Sequence, residues 1–191
     1  MKKQKRPLKK LLKIRNDPDV ELWAMDEVIF QLHGTICRMW IPKEVKNPII
    51  NFHPTRKSVG YFGAVRLSDG KFNYNRPDDM FNGDTFHDYL KYLRKITSRS
   101  KKRNVFILDN ARYHHWKEIK AWVDPIEDCF SLLFLPPYSP ELNPIERVWK
   151  LVRRTSTHNR YFPNLDTLMN SVESLFDSWH RRSGALVRLC A

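Results

Sequence analysis

No stretch of this chain approaches the roughly 18 uninterrupted apolar residues of a membrane-spanning helix, which sets such a helix aside. Cysteine is scarce. Cys37, Cys129 and Cys190 are odd in number, far apart and outside any Cys-x-x-Cys spacing, which argues against a disulfide framework or a structural zinc site and fits a reducing cytoplasm. The chain has no glycine loop of the phosphate-cradling kind, no Ser-His-Asp pattern for covalent catalysis, no internal repeat and no low-complexity segment. Behind the basic opening Met-Lys-Lys-Gln-Lys-Arg stands only the Leu11-Leu12 pair, too short for the core of a secretory signal. Acidic residues are also few. The 21 Asp and Glu face 34 Lys and Arg, for a net charge of +13. Such a field attracts polyanions and makes nucleic acid the expected partner, with an anionic membrane surface as the weaker alternative.

What is present reads as one domain behind an arm. The 191 residues, 41% of them apolar and 29% charged, suffice for one substantial core. Residues 1–20 are basic and broken by Pro7 and Pro18, and form the expected N-terminal arm; residues 21–191 form the domain. Leu22, Ala24, Asp26, Val28, Phe30 and Leu32 make a period-two stripe that predicts a strand with one packed face. Residues 35–41 and 59–67 suggest two further strands, the latter closed by the Ser68-Asp69-Gly70 turn, so that three antiparallel strands come first. A helix follows, capped by Asp84 and packed through Phe86, Leu90, Leu93 and Ile96. Residues 105–108 and 132–135 read as buried strands with parallel neighbours, separated by a short helix carrying Trp116, Ile119 and Val123 and ended by Pro125. Asn143 and Pro144 then open a helix with Ile145, Val148, Trp149 and Val152 inward. A last helix follows Pro163. Trp116, Trp149 and Trp179 fall at core spacing.

Three acids stand out against this framework. Asp26 alone interrupts the apolar stripe of its strand, where an ionised carboxylate is costly unless an Arg, water at a strand edge or a divalent cation compensates. Asp109 ends the run Val-Phe-Ile-Leu, at the strand end where sites in open sheets gather, although Asp-Asn is also ordinary turn chemistry. Glu146 sits in Leu-Asn-Pro-Ile-Glu146-Arg-Val-Trp-Lys, where it could equally fold back on the Asn cap. Taken together, three hard oxygen ligands suit phosphodiester chemistry with two divalent cations about 4 Å apart, one activating the attacking oxygen and one stabilising the leaving oxygen. The cations also explain how such acids tolerate one another.

The strings Leu-Asp109-Asn-Ala-Arg-Tyr-His-His and Pro-Pro-Tyr-Ser-Pro-Glu-Leu-Asn-Pro-Ile-Glu146-Arg-Val-Trp closely resemble the second and third acidic motifs of mariner-like DDE transposases, nearest to the bacterial insertion sequence 630 family. Met25-Asp26-Glu27-Val28 resembles the first, and 36 residues lie between Asp109 and Glu146. The resemblance covers residues 22–159 and implies an α/β, ribonuclease H-like fold: a mixed five-stranded sheet, three antiparallel strands then parallel ones, flanked by helices. It implies Asp26, Asp109 and Glu146 as catalytic metal ligands for two Mg2+, with Mn2+ as substitute. The implied reaction is hydrolytic nicking at transposon ends, then attack of the freed 3′-hydroxyl on target DNA, typically at TA, without a covalent enzyme intermediate. Glu27 points to the other face of its strand and is a neighbour rather than a ligand. Asn110 is expected to orient Asp109 or a water, and His114 to stand behind the ligands, the alternative being a histidine that touches phosphate or solvent.

The resemblance implies double-stranded DNA as the partner, both transposon ends and target, and paired ends imply a homodimer. Arg112, Arg147, Lys150, Arg153 and Arg154 are the candidates to line a DNA channel, against the alternative of a wet charged face. Members of the family usually carry helix-turn-helix modules ahead of the catalytic domain, so end recognition points to a separate helix-turn-helix polypeptide or to a truncated remnant. Lys2, Lys3, Lys5, Arg6, Lys9 and Lys10 would hold phosphates without reading bases, or form a solvated tail. The expected setting is cytoplasmic and nucleoid-associated. The alternatives are a ribonuclease H-like nuclease that cleaves without joining, and an inactive transposase-derived DNA-binding protein.

Overall fold

The computed structural model describes residues 14, 16–46, 48–52, 54–78, 80–137 and 139–190; the basic residues of the arm between 2 and 10 lie outside them. Five strands, β1 (Val20–Gln31), β2 (Ser58–Arg66), β3 (Phe72–Asn75), β4 (Arg103–Leu108) and β5 (Phe130–Phe134), form one sheet in the order β3-β2-β1-β4-β5. The pairs β1 with β2 and β2 with β3 are antiparallel, whereas β1 with β4 and β4 with β5 are parallel. This is the mixed sheet expected from the sequence.

Side-chain alternation sends neighbouring residues of β1 to opposite faces. Ala24, Val28 and Phe30 pack with Tyr61, Val65 and Phe72 under three helices, α3 (Ile145–Val152), α4 (Leu165–Asp177) and α5 (Gly184–Cys190). Trp23 and Met25 pack with Phe62, Ala64, Phe106 and Leu108 under α1 (Gly83–Thr97) and α2 (Lys117–Val123). A smaller cluster of Leu22, Val105, Ile107 and Leu135 covers the β4 end of the first face.

Residues 35–41 are not the second strand that their apolar content suggests. Ile36, Met39 and Trp40 are exposed, so no buried face rewards pairing. The segment is stitched instead to residues 158 and 159: Thr35 bridges His158, Asn159 N donates to Thr35 O at 3.0 Å, and Cys37 N donates to Asn159 Oδ1 at 2.8 Å. The third antiparallel strand is β3, brought back by the 68–70 turn. There Gly70 adopts φ +70°, and an added Cβ would stand 2.3 Å from Ser183 O.

Asn82, not Asp84, caps α1. Its side chain accepts from Thr85 N at 2.9 Å while Thr85 Oγ1 accepts from Asn82 N at 3.1 Å, a reciprocal pair that satisfies two otherwise orphan donors. Asn82→Ala is expected to cost about 1 kcal/mol. For a chain of this size that is a fall of about 2–4 °C in melting midpoint, read by calorimetry. Trp116 also departs from expectation, being 38% exposed on the rim of α2 above Gly83, whereas Trp149 and Trp179 are buried.

Candidate active site

Pairing in the sheet brings the first two acids together. The parallel ladder of β1 and β4 aligns Ala24 with Ile107, and two residues further along the same face of each chain stand Asp26 and Asp109. Helix α3 crosses that face and carries Glu146 in its first turn. All three carboxylates line one cavity of about 450 Å³, together with Asn110, Pro136, Pro137 and Asn143. Three acids that are distant in the chain thus converge on one hollow. No side-chain cap bond forms at the start of α3, so Glu146 does not fold back on its own helix. The Asn143 side chain, expected as that cap, donates instead from Nδ2 to Met25 O at 3.0 Å.

Each aspartate has its own support. Trp149, one helical turn beyond Glu146, donates its indole N–H to Asp26 Oδ2 at 3.2 Å. Room for that indole comes from Gly63, which pairs with Asp26 across β1 and β2; a Cβ at Gly63 would lie 2.3 Å from Trp149 Cη2. Asp109 Oδ1 accepts from Ala111 N at 3.0 Å, so the turn role is real, but it also lies 3.1 Å from His114 Nδ1. His114 is 2% exposed, packed against Phe86, and its Nε2 lies 3.0 Å from Glu27 Oε1. Glu27, on the other sheet face, therefore reaches Asp109 through an imidazole that passes the end of β4.

The charges follow this geometry. Burial, then the neighbouring charges of Glu27 and Glu146, push the Asp26 carboxyl up to about 8, against the weaker pull of a backbone bond and the Trp149 donor. The hydrogen bond from His114 holds Asp109 below the usual carboxylate range, outweighing burial. Burial draws His114 down, yet the bonds to Asp109 and Glu27 outweigh it and lift the imidazole to about 9. A cation beside such a buried, crowded carboxyl would favour its ionised form. Among the described residues no group of three or more His, Cys, Asp or Glu is closed to metal-holding distance. The chemistry of the donor set still fits divalent cations, because all three side chains offer hard oxygens to one cavity.

The remaining candidates are placed as follows. Asn110 donates from Nδ2 to Leu135 O and pairs through Oδ1 with His115 Nε2 at 3.2 Å, so it joins the ends of β4 and β5 rather than bonding Asp109. Arg112, Lys150 and Arg154 are exposed. Arg147 donates to Leu189 O at 2.7 Å at the end of α5, and Arg153 lies half-buried over the Phe30 ring at 5.9 Å. Trp149 and Glu27 were not legible as site residues; the one local signal was a glycine inside a strand opposite Asp26.

Comparison with known proteins places the chain in a family. A family model described as DDE superfamily endonuclease matches residues 21–169. The Tcb2 transposase of a Caenorhabditis briggsae transposable element is 28% identical over 183 residues, covering 85% of this chain and 65% of its own. An uncharacterized 39 kDa protein of insertion element IS630 from Shigella sonnei is 30% identical over 154 residues, 80% of this chain and 43% of its own. The chain thus spans between 43% and 65% of the length of these two relatives. Among solved structures, the Mos1 transposase paired-end complex with the left transposon end gives a TM-score of 0.73 at 16% identity, covering 98% of this chain and 56% of that one. The Mos1 mariner catalytic domain gives 0.68 at 14% identity, covering 98% and 85%. The likeness shows the fold, which is ribonuclease H-like. Among the described residues no helix is long and apolar enough to cross a membrane.

Proposed function

The chain belongs to the DDE superfamily of endonucleases, and from that premise we propose that it is the catalytic domain of a DNA transposase, with Asp26, Asp109 and Glu146 as ligands of two Mg2+ or Mn2+ ions. The convergence of the three carboxylates on one cavity carries this reading. Solved forms of the similar Mos1 catalytic domain with Mg and with Mn, and of its complexes with transposon-end DNA, support it.

When bound, divalent cations supply activation of the attacking oxygen and stabilisation of the leaving one. The chain supplies position. Trp149 orients Asp26, while Glu27 and His114 hold Asp109 ionised and aimed. Water first hydrolyses the phosphodiester at the transposon end, and the freed 3′-hydroxyl then attacks target DNA at TA. The phosphorus passes between oxygens with no bond to the protein. Arg112, Lys150, Arg153 and Arg154 contact the DNA backbone, while Arg147 combines that role with closing α5. A homodimer on paired ends and a helix-turn-helix polypeptide that reads their sequence complete the proposal.

The deciding assay incubates the chain with DNA bearing the element's own ends, with Mg2+ or Mn2+. Joined products mark the transposase, cleavage without joining marks a nuclease, and salt-sensitive binding without cleavage marks an inactive descendant.

Stability against pH offers a second check. With chelator present, folded Asp26 keeps its proton up to about 8 while the unfolded chain releases it near 3.8, so this group makes stability fall as pH rises between them. His114 acts in the same direction: its contribution is complete below 6.5 and is lost as pH rises through about 9. The melting midpoint in chelator is therefore expected to fall from pH 6 to pH 9. Added Mn2+ should raise it more at pH 8 than at pH 6, and a concentration a hundred times the dissociation constant stabilises the fold by about 2.7 kcal/mol. A midpoint indifferent to Mn2+ at pH 8 would count against the ligand assignment.

A further inference from the structure

Asn143 is 3% exposed, lines the carboxylate cavity, and is divided between two tasks by its two amide atoms. Nδ2 donates to Met25 O, the carbonyl immediately before Asp26. Its backbone belongs to the start of α3: Asn143 N donates to Pro140 O at 2.9 Å, and Asn143 O accepts from Glu146 N at 3.2 Å. One residue therefore ties the peptide beside Asp26 to the turn that carries Glu146. The opposite atom, Oδ1, is buried with no hydrogen-bond partner.

A buried acceptor without a donor is unfavourable unless something arrives to complete it. The carboxylates that line the same cavity are acceptors when ionised and cannot do so. Once the carboxylates are ionised, only a donor such as water, or a cation, satisfies all of them together. We propose, resting on the metal-dependent reading above, that Asn143 is a positioning residue: Nδ2 sets the separation of Glu146 from Asp26, and Oδ1 receives a water held between the carboxylates and their cations. The sequence presents Asn143 as a helix cap, a role its side chain does not perform.

The test is the affinity of the 191-residue chain for Mn2+, measured from the electron paramagnetic resonance of free Mn2+, with unfolding followed by circular dichroism. Two variants are compared with wild type. Asn143→Ala removes the amide and its volume; Asn143→Leu removes the amide but keeps the volume, so a packing role alone leaves its affinity intact. The proposal expects both variants to bind Mn2+ about 10- to 100-fold more weakly, the range for partners that orient metal ligands. Asn143→Leu is expected to stay folded. Wild-type affinity in a folded Asn143→Leu overturns the role of Asn143 while leaving the metal site standing, provided Asp109→Asn loses Mn2+. If wild type itself binds no Mn2+, the metal-site reading fails and this role falls with it. Should Asn143→Leu fail to fold, a folded Asn143→Ala with wild-type affinity gives the same refutation.

Discussion

Asp109→Asn is expected to reduce divalent-cation-dependent cleavage of transposon-end DNA by about 1,000-fold or more, beyond the 10- to 100-fold typical of residues that only orient ligands. The substitution is mild for the fold. Asp109 is exposed, and an asparagine Oδ1 can still accept from Ala111 N and His114 Nδ1. What disappears is the negative charge and one hard oxygen at the cavity. The melting midpoint in chelator should therefore stay within a few degrees of wild type while the cleavage rate, measured on labelled DNA in Mg2+ or Mn2+, collapses. Cleavage within tenfold of wild type would show that Asp109 does not hold the reaction's cations.

Gly63→Ala should be the most damaging small substitution in the sheet. The new Cβ would meet Trp149 Cη2 at 2.3 Å and Phe72 Cζ at 3.0 Å. Trp149 cannot swing aside, since it is buried among Phe72, Phe176 and the floor of the sheet. Overpacking of this kind costs about 1–3 kcal/mol, or about 2–4 °C in midpoint for each kcal/mol. The strain that the new Cβ puts on the wedged ring also disturbs the bond from its indole N–H to Asp26, so cleavage should fall together with stability. Pairing Gly63→Ala with Trp149→Phe separates the two effects: the smaller ring recovers stability, whereas the lost N–H leaves cleavage low. Full stability and full activity in Gly63→Ala would show that the indole is not wedged as described.

The elements that could be read from the letters are those whose signal is local. The alternating stripe of β1 located both the strand and its discordant Asp26; the apolar run before Asp109 and the Asn-Pro-Ile-Glu146 start of α3 placed the other two acids. The segment 35–41 misled because its apolar residues alternate as a strand's do, and whether a sheet edge receives them is settled elsewhere in the chain. Asp84 misled for a similar reason: Asp and Asn cap equally well, and the choice of Asn82 rests on Thr85 three residues later. The contacts that support the site were out of reach, although the resemblance already set His114 behind the ligands. Trp149 finds Asp26 across 123 positions, Asn143 finds Met25 across 118, and His114 finds Glu27 across 87, contacts that only the folded sheet creates.

One consequence of β1 concerns how the chain proofreads itself. Asp26 and Glu27 are adjacent acids serving opposite faces, so a strand threaded one residue out of frame would still present a carboxylate, that of Glu27, to the cavity. Charge at the cavity cannot reject that error. Bulk can: the misthreaded strand would drive Met25 into the space that Ala24 leaves beneath α3, and abandon Val28 and Phe30 on the wrong side. The fidelity of an acidic centre is thus enforced by its uncharged neighbours, through steric mismatch along a single strand.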